Sequence, residues 1–287
     1  MALKNIKIPH LNSKNSLNYI DSDIYIPDIF KNTDVKFPLI IFAHGFKGFK
    51  DWGAFPYLCN KLAENGFAVL SFNFTHNGVS AESPVDFTRL DLFEKNTHSI
   101  ELDDLRSVIC YADKLAEIYP VDKNRIGLTG HSRGGGISAV TAYENENIKA
   151  LCLLASIAKF DRYTDEQKKR WREKGFIEIP NTRTNQMMRL NVNMLDDIEK
   201  NKNRLDILKA VTGLKKPLLI IHGREDLAVK FTDAEALYNA ADKNLAELHI
   251  LENTGHTFGV EHPFKTTTIY FNEVIKLIVN FFKEKLA

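Results

Sequence analysis

Little in this sequence is extreme, and each shortage closes off a class of protein. Only three cysteines occur, Cys59, Cys110 and Cys152. They are odd in number and widely spaced, so they form neither a disulfide framework nor a metal-binding cluster. They read instead as small core residues, Cys110 and Cys152 lying in apolar segments. No apolar run approaches the ~18 residues of a membrane span, so no membrane partner is expected. The opening residues, Met1 to His10, hold no long apolar region. A signal peptide is therefore not expected, and the cytoplasm is the expected compartment. Neither sign of charge dominates: 38 Lys and Arg face 37 Asp and Glu, a net charge of +1. Without a basic excess or an aromatic–basic array, nucleic acid is not an expected partner. Internal repeats and low-complexity tracts are also absent. What remains is a 287-residue chain, 44% hydrophobic and 26% charged, long enough to bury a core without covalent staples.

The patterning predicts an α/β fold. Residues 5–27 alternate apolar and polar (Ile6, Ile8; Ile20, Ser22, Ile24, Ile26) around a turn-rich stretch from Leu11 to Ser16. They read as two half-exposed antiparallel edge strands. A polar loop is expected over 28–36. Phe37–Ala43 is apolar on both faces, as a strand covered by helices must be, and Phe67–Phe74, Ile126–Gly130, Lys149–Ser156, Pro217–His222 and Leu245–Leu251 read as further strands of the sheet. Between them lie expected helices: Pro56–Asn65, Ser99–Tyr119, a small-residue segment from Ile137 to Tyr143, and one opened by a Thr232-Asp233-Ala234-Glu235 capping box. An amphipathic helix is expected over 267–285. Strand–helix alternation from residue 37 onwards demands a mainly parallel sheet with right-handed crossovers. Residues 157–212 break the rhythm. They are rich in charge and Asn, with expected helices over 165–174 and 196–210 and a loop or hairpin over 175–193. The expected organisation is a core of 1–156 and 213–287 with 157–212 as a cap or lid insertion.

In such sheets, functional groups collect beyond the carboxyl ends of the strands. Gly130-His131-Ser132-Arg133-Gly134 matches G-x-S-x-G, placed between a strand and a helix. A serine lifted clear of a sheet on so sharp a turn needs small neighbours. Asp226 follows the strand ending at His222, and His256 follows the last strand. Ser132, Asp226 and His256 thus appear in the chain order of serine hydrolases of this architecture. A serine hydroxyl is a poor nucleophile at neutral pH; His256 can accept its proton and return it to the leaving group, while Asp226 orients the imidazole. Glu225 and Asp233 are rivals to Asp226, although Asp233 already suits a helix's first turn. The expected oxyanion donors are the backbone N–H groups of Arg133 and of Phe46, which follows His44-Gly45. His44 and His222 read as structural histidines. Trp52 and His76 are possible pocket residues. Lys47 and Lys50 read as solvated, with attraction of an anionic substrate as the alternative; Arg162, Arg170, Arg183 and Arg189 pose the same choice.

His44-Gly45-Phe46, Gly130-His131-Ser132-Arg133-Gly134-Gly135, His222-Gly223-x-x-Asp226 and Gly255-His256-Thr257-Phe258 resemble the α/β-hydrolase superfamily. The likeness is strongest to its dienelactone-hydrolase and prolyl-oligopeptidase-like branch. It spans about residues 35–285 and implies an eight-stranded, mostly parallel sheet, a cap after the sixth strand, and no cofactor or metal. It also implies Ser132, Asp226 and His256 as nucleophile, acid and base. Dienelactone hydrolases proper use a cysteine nucleophile, so Ser132 argues against that activity. No propeller segment stands before the hydrolase region within this chain, which weighs against an oligopeptidase. Small esterases with a hairpin or helical insertion, cinnamoyl and feruloyl esterases among them, fit the size better. The expected function is a carboxylesterase-like serine hydrolase acting on a small-molecule ester through an acyl-enzyme. Amide hydrolysis of the acyl-peptide or aminopeptidase kind is one alternative, and a non-catalytic binding module is another.

Overall fold

The computed structural model describes residues 2–11, 18–28, 35–181 and 184–287. Most of the expected 11–16 turn and 28–36 loop, and Arg183, lie outside them. The first part of the chain forms β1 (Ala2–Pro9), β2 (Tyr19–Tyr25), β3 (Phe37–Ala43), α1 (Phe55–Glu64), β4 (Ala68–Phe72), α2 (Leu90–Phe93), α3 (His98–Cys110) and α4 (Ala112–Ile118). Then come β5 (Val121–His131), α5 (Arg133–Glu144), β6 (Ile148–Leu154), α6 (Asp165–Lys174), β7 (Phe176–Asn181), β8 (Gln186–Asn191), α7 (Asn193–Lys200) and α8 (Ile207–Gly213). The chain finishes with β9 (Leu218–Gly223), α9 (Phe231–Ala240), β10 (Ala246–Leu251) and α10 (Ile269–Lys285).

Eight strands form one sheet in the order β1-β2-β4-β3-β5-β6-β9-β10. The β1–β2 and β2–β4 pairs are antiparallel and the rest parallel. This is the expected fold class, with β7 and β8 forming a separate antiparallel hairpin. Strand periodicity explains the double coverage. In β3, Leu39 and Ile41 join the core under α3, α5, α8 and α9, while Ile40 and Phe42 join the opposite core under α1 and α10. β6 and β9 divide in the same way: Leu151 and Ile220 face one side, Cys152 and Ile221 the other. The expected stripe of α10 lies on this second core through Val274, Ile278, Phe281 and Phe282.

Several local expectations are corrected. The helix expected over 99–119 breaks at Tyr111, which ends α3 and begins α4. The helix expected over 196–210 is two, because residues 201–206 turn and the Asp206 side chain caps α8 by accepting the Lys209 N–H at 3.0 Å. The Thr232 capping box does not form, since α9 is capped at Lys230 and Thr232 already lies inside the helix. Cys110 is exposed at the end of α3, whereas Cys59 and Cys152 are buried. Lys50 is not solvated: its ammonium is buried between Asp23 and Asp51, each at 2.6 Å. Asp23 is correspondingly fully buried and not on an exposed strand face. Lys50 thereby ties the loop after β3 to the body of the sheet, and its N–H also donates to Asn73 Oδ1 at 2.8 Å.

Candidate active site

β4 lies on one side of β3 and β5 on the other, so the strand order reverses direction at β3. Crevices at such reversals, beyond the strands' carboxyl ends, are where ligands of open α/β sheets bind. Register brings the turns together: Ala43 pairs with Gly130, His131 with Leu154, Leu154 with Ile221, and His222 with Ile250. The segments after β3, β5, β9 and β10 therefore open on one edge.

Ser132 forms the turn between β5 and α5 with φ 56° and ψ −120°, a conformation a side chain rarely accepts. Its N–H donates to Leu154 O at 2.8 Å, which holds the turn from below. The glycines permit the crowding. A Cβ on Gly134 would come within 2.3 Å of His44 O and 2.5 Å of Ala43 O, so α5 rests directly on the end of β3. A Cβ on Gly45 would lie 2.9 Å from Ser132 Cβ. Lys47, Ala155 and Phe258 also have positive φ, near 53°, 45° and 55°. Each stands close in sequence to a residue of this edge.

Asp226 and His256 meet at 2.7 Å, Oδ2 to Nδ1. A carboxylate accepts, so Nδ1 carries the hydrogen, and in the neutral ring Nε2 then keeps its lone pair. Asp226 Oδ1 accepts the N–H groups of Ala228 and Val229, both at 2.8 Å. Asp226 Oδ2 also lies 3.2 Å from His222 Nε2, whose hydrogen goes chiefly to Val229 O at 2.8 Å. Burial opposes the charge of Asp226, but the bonds from His222, His256 and Val229 outweigh it and hold the acid well below the usual carboxylate range. Of the rival acids, Asp233 is engaged elsewhere, accepting from Arg162 at 2.7 Å and from the Ala158 N–H at 3.1 Å.

Two cavities flank Ser132 and His256, and both residues line each of them. One, of about 240 Å³, runs past Phe46, Trp52, Phe55, His131, Asn181 and Thr257. The other, of about 410 Å³, is bounded by Phe46, Arg133, Ile157, Phe160, Arg162, Tyr163 and Val229. Trp52 thus stands where a pocket residue was expected. His76 lines neither cavity; it is buried against Thr75 Oγ1 at 2.8 Å, in a network that also holds Asp104. Arg170 and Arg189 are exposed and pair with Glu166 and Glu178.

The candidate oxyanion donors, the Phe46 and Arg133 N–H groups, donate to no loop, turn or cap acceptor among the described residues. Their side chains touch as well: the Arg133 guanidinium lies 4.1 Å from the Phe46 ring centroid. Arg133 also donates to buried Glu101 at 2.7 Å. Burial works against the Glu101 charge, yet Arg133 and His98 bring it down to about 2.

His44 does more than the sequence suggested. Its Nε2 accepts the Phe74 N–H at 3.2 Å, so Nδ1 carries the hydrogen and donates to Gly45 O at 2.9 Å. That carbonyl and the Phe46 N–H belong to one planar trans peptide and point in opposite directions. Anchoring the oxygen therefore aims the N–H. Burial keeps His44 neutral, pushing it down to about 4, as this single tautomer requires. His131 plays a related part, donating from Nε2 to His256 O at 2.9 Å with its ring 4.7 Å from the His256 ring. Burial and the neighbouring His256 push it down to about 3. Sequence reasoning missed both roles, and His222 as a second partner of Asp226. The available signal was a histidine directly at three strand ends.

The sheet topology and the turn at Ser132 define an α/β hydrolase. More narrowly, the chain belongs to the prolyl oligopeptidase family, whose model matches residues 62–287. A model for platelet-activating factor acetylhydrolase, isoform II, matches residues 9–107. Among curated relatives, the uncharacterized protein YcjY of Escherichia coli is 29% identical over 155 residues, 54% of this chain and 46% of that protein. The chain spans less than half the length of the curated relatives it matches. Among solved structures, Est1E from Butyrivibrio proteoclasticus with ferulic acid bound aligns with a TM-score of 0.72 at 22% identity, covering 98% of each chain. Dienelactone hydrolase from Anabaena variabilis aligns at 0.62 and 16% identity, over 100% of this chain and 99% of that one. At these identities the likeness is one of fold. No helix among the described residues is long and apolar enough to cross a membrane.

Proposed function

We propose that the chain is a serine hydrolase that cleaves a carboxylic ester of a small or medium substrate through an acyl-enzyme. The observation that carries this reading is the 2.7 Å Asp226–His256 contact, which engages His256 Nδ1 and leaves Nε2 as the ring nitrogen for proton transfer, beside cavities that Ser132 also lines. Ser132 Oγ attacks the ester carbonyl carbon as its proton passes to His256 Nε2. The carbonyl oxygen takes the negative charge and accepts from the Phe46 and Arg133 N–H groups, each such donor contributing ~3 kcal/mol to the transition state. Collapse breaks the bond to the alcohol oxygen, which leaves with the proton from His256. Water then repeats the sequence on the acyl-Ser132, losing its proton to His256 and releasing the acid. Asp226 keeps Nδ1 protonated and stabilises the imidazolium at both stages. In this reading residues 157–212 act as the cap, because Phe160, Arg162 and Tyr163 line the larger cavity.

The test is covalent. A fluorophosphonate probe is expected to label Ser132 in the intact protein, read by peptide mass spectrometry. Ser132→Ala is expected to lose label and at least about ten-thousand-fold of p-nitrophenyl acetate turnover. Wild-type protein without label at Ser132 sinks the proposal. Membership of the prolyl oligopeptidase family favours a second reading, hydrolysis of a small amide. Turnover of aminoacyl-anilides against matched esters decides between the two.

A further inference from the structure

The two cavities at Ser132 differ in charge. The smaller is walled mainly by Trp52, Phe55, His131 and Thr257, and its one permanently charged side chain, Lys47, lines the larger as well. In the larger, every lining side chain with a permanent charge is a cation: Lys47, Arg133 and Arg162. The carboxylates that pair with the two arginines, Glu101 and Asp233, are not part of its wall. Glu101 is almost wholly buried and holds Arg133 from behind, with Asn96 donating to the same Glu101 oxygen at 2.8 Å. Arg162 is fixed by Asp233 and also reaches the Ala228 carbonyl at 3.4 Å. Lys47 extends to the Pro180 carbonyl on the β7–β8 hairpin at 3.1 Å. The two carboxylates, Glu101 buried and Asp233 partly so, thus orient the guanidiniums, and the chamber presents donors that have no acceptor capacity of their own. Ile157, Phe160 and Val229 complete the wall with apolar surface, which strengthens any charge interaction inside.

We propose that this chamber receives a carboxylate carried by one half of the substrate, so that the natural substrate is an anionic ester and not a neutral acyl ester. The inference rests on the esterase reading above and adds the substrate class to it. A planar carboxylate matches the fork of a guanidinium, and held there it positions the ester carbonyl over Ser132. The smaller cavity, which lacks both arginines, takes the other half.

Two matched pairs test it, one for each half of the ester. Mono-p-nitrophenyl glutarate is compared with p-nitrophenyl valerate, and 4-acetoxybenzoate with its methyl ester. At low salt, one anionic member is expected to exceed its neutral counterpart in kcat/KM by roughly tenfold or more. The ratio is expected to shrink with added salt and to fall several-fold in Arg162→Gln, with Arg162→Lys recovering part of it. The wild-type ratios stand without any variant. If neutral members are turned over as well as anionic ones in both pairs, by a reaction that Ser132→Ala abolishes, the anionic-substrate proposal fails and the esterase reading survives. Absence of Ser132-dependent turnover for every ester overturns the reading beneath it, and this proposal with it.

Discussion

The turn at Ser132 and the insertion between β6 and β9 are held in place by opposite means. At the turn, backbone lies against backbone: α5 sits on the end of β3 with no room for a methyl group at Gly134, and Ser132 is held at positive φ. Few other residues satisfy such constraints, so the sequence there is nearly dictated. The insertion is held by side chains. Trp171 is the one buried residue of α6. It packs with Phe49, Phe87, Phe93, Met188, Leu190 and Met194 in a small core of its own, and its indole N–H donates to Leu190 O at 3.0 Å. Around it stand exposed pairs such as Arg172 with Asp196 and Glu199, which contribute little each. Many sequences could supply such a patch. In the proposed reading the rigid region sets the reaction and the substitutable one sets what reaches it.

That contrast can be broken from either side. Asp226→Asn leaves the shape of the site but puts the wrong hydrogen on the His256 partnership; kcat is expected to fall about ten-thousand-fold, measured on a neutral ester at pH 7. A modest loss would mean that Asp226 does not orient a base. Trp171→Ala is expected to destabilise the insertion by ~3–5 kcal/mol, read as early hydrogen-exchange opening of 162–200 with β3, β5 and β6 still protected. Simultaneous opening of the sheet would show that insertion and core form one cooperative unit. His44→Gln removes the imidazole that anchors the Gly45 carbonyl and also accepts the Phe74 N–H. It is expected to lower kcat by roughly tenfold to a hundredfold with little change in KM. A change in KM alone would assign His44 a structural part.

The same contrast explains what could be read from the sequence. Gly130, Gly134 and Gly45 advertise a close backbone approach, and Asp226 and His256 stand just past strand ends, so the turn and the Asp226–His256 pair beside it were legible. The mainly parallel sheet followed from apolar runs alternating with helices, and its count of eight strands from the family resemblance. The helix break at Tyr111 was invisible because Leu105, Val108, Ala112 and Leu115 continue the apolar spacing through it. Thr232 misled because the helix begins earlier, at Phe231, which moves a capping pattern out of register. His76 shows that standing after a strand is not enough, since its side chain turns to Thr75 and not to the crevice. Lys47 and Lys50, three residues apart, looked alike; burial between two carboxylates separates them, and nothing in the local sequence announces Asp23 as a partner.

The contact of Gly134 with the end of β3 also has a bearing on time. Phe46 and Ser132 are distant in sequence, and they become neighbours only once β3 lies beside β5 in the Ala43–Gly130 register. Helix α5 and the turn before it involve local contacts, but the proposed oxyanion donors, the Phe46 and Arg133 N–H groups, follow two different strands. Such long-range pairing forms slowly compared with a helix. During refolding, recovered turnover would therefore clock the docking of two strands, and helical signal would arrive first.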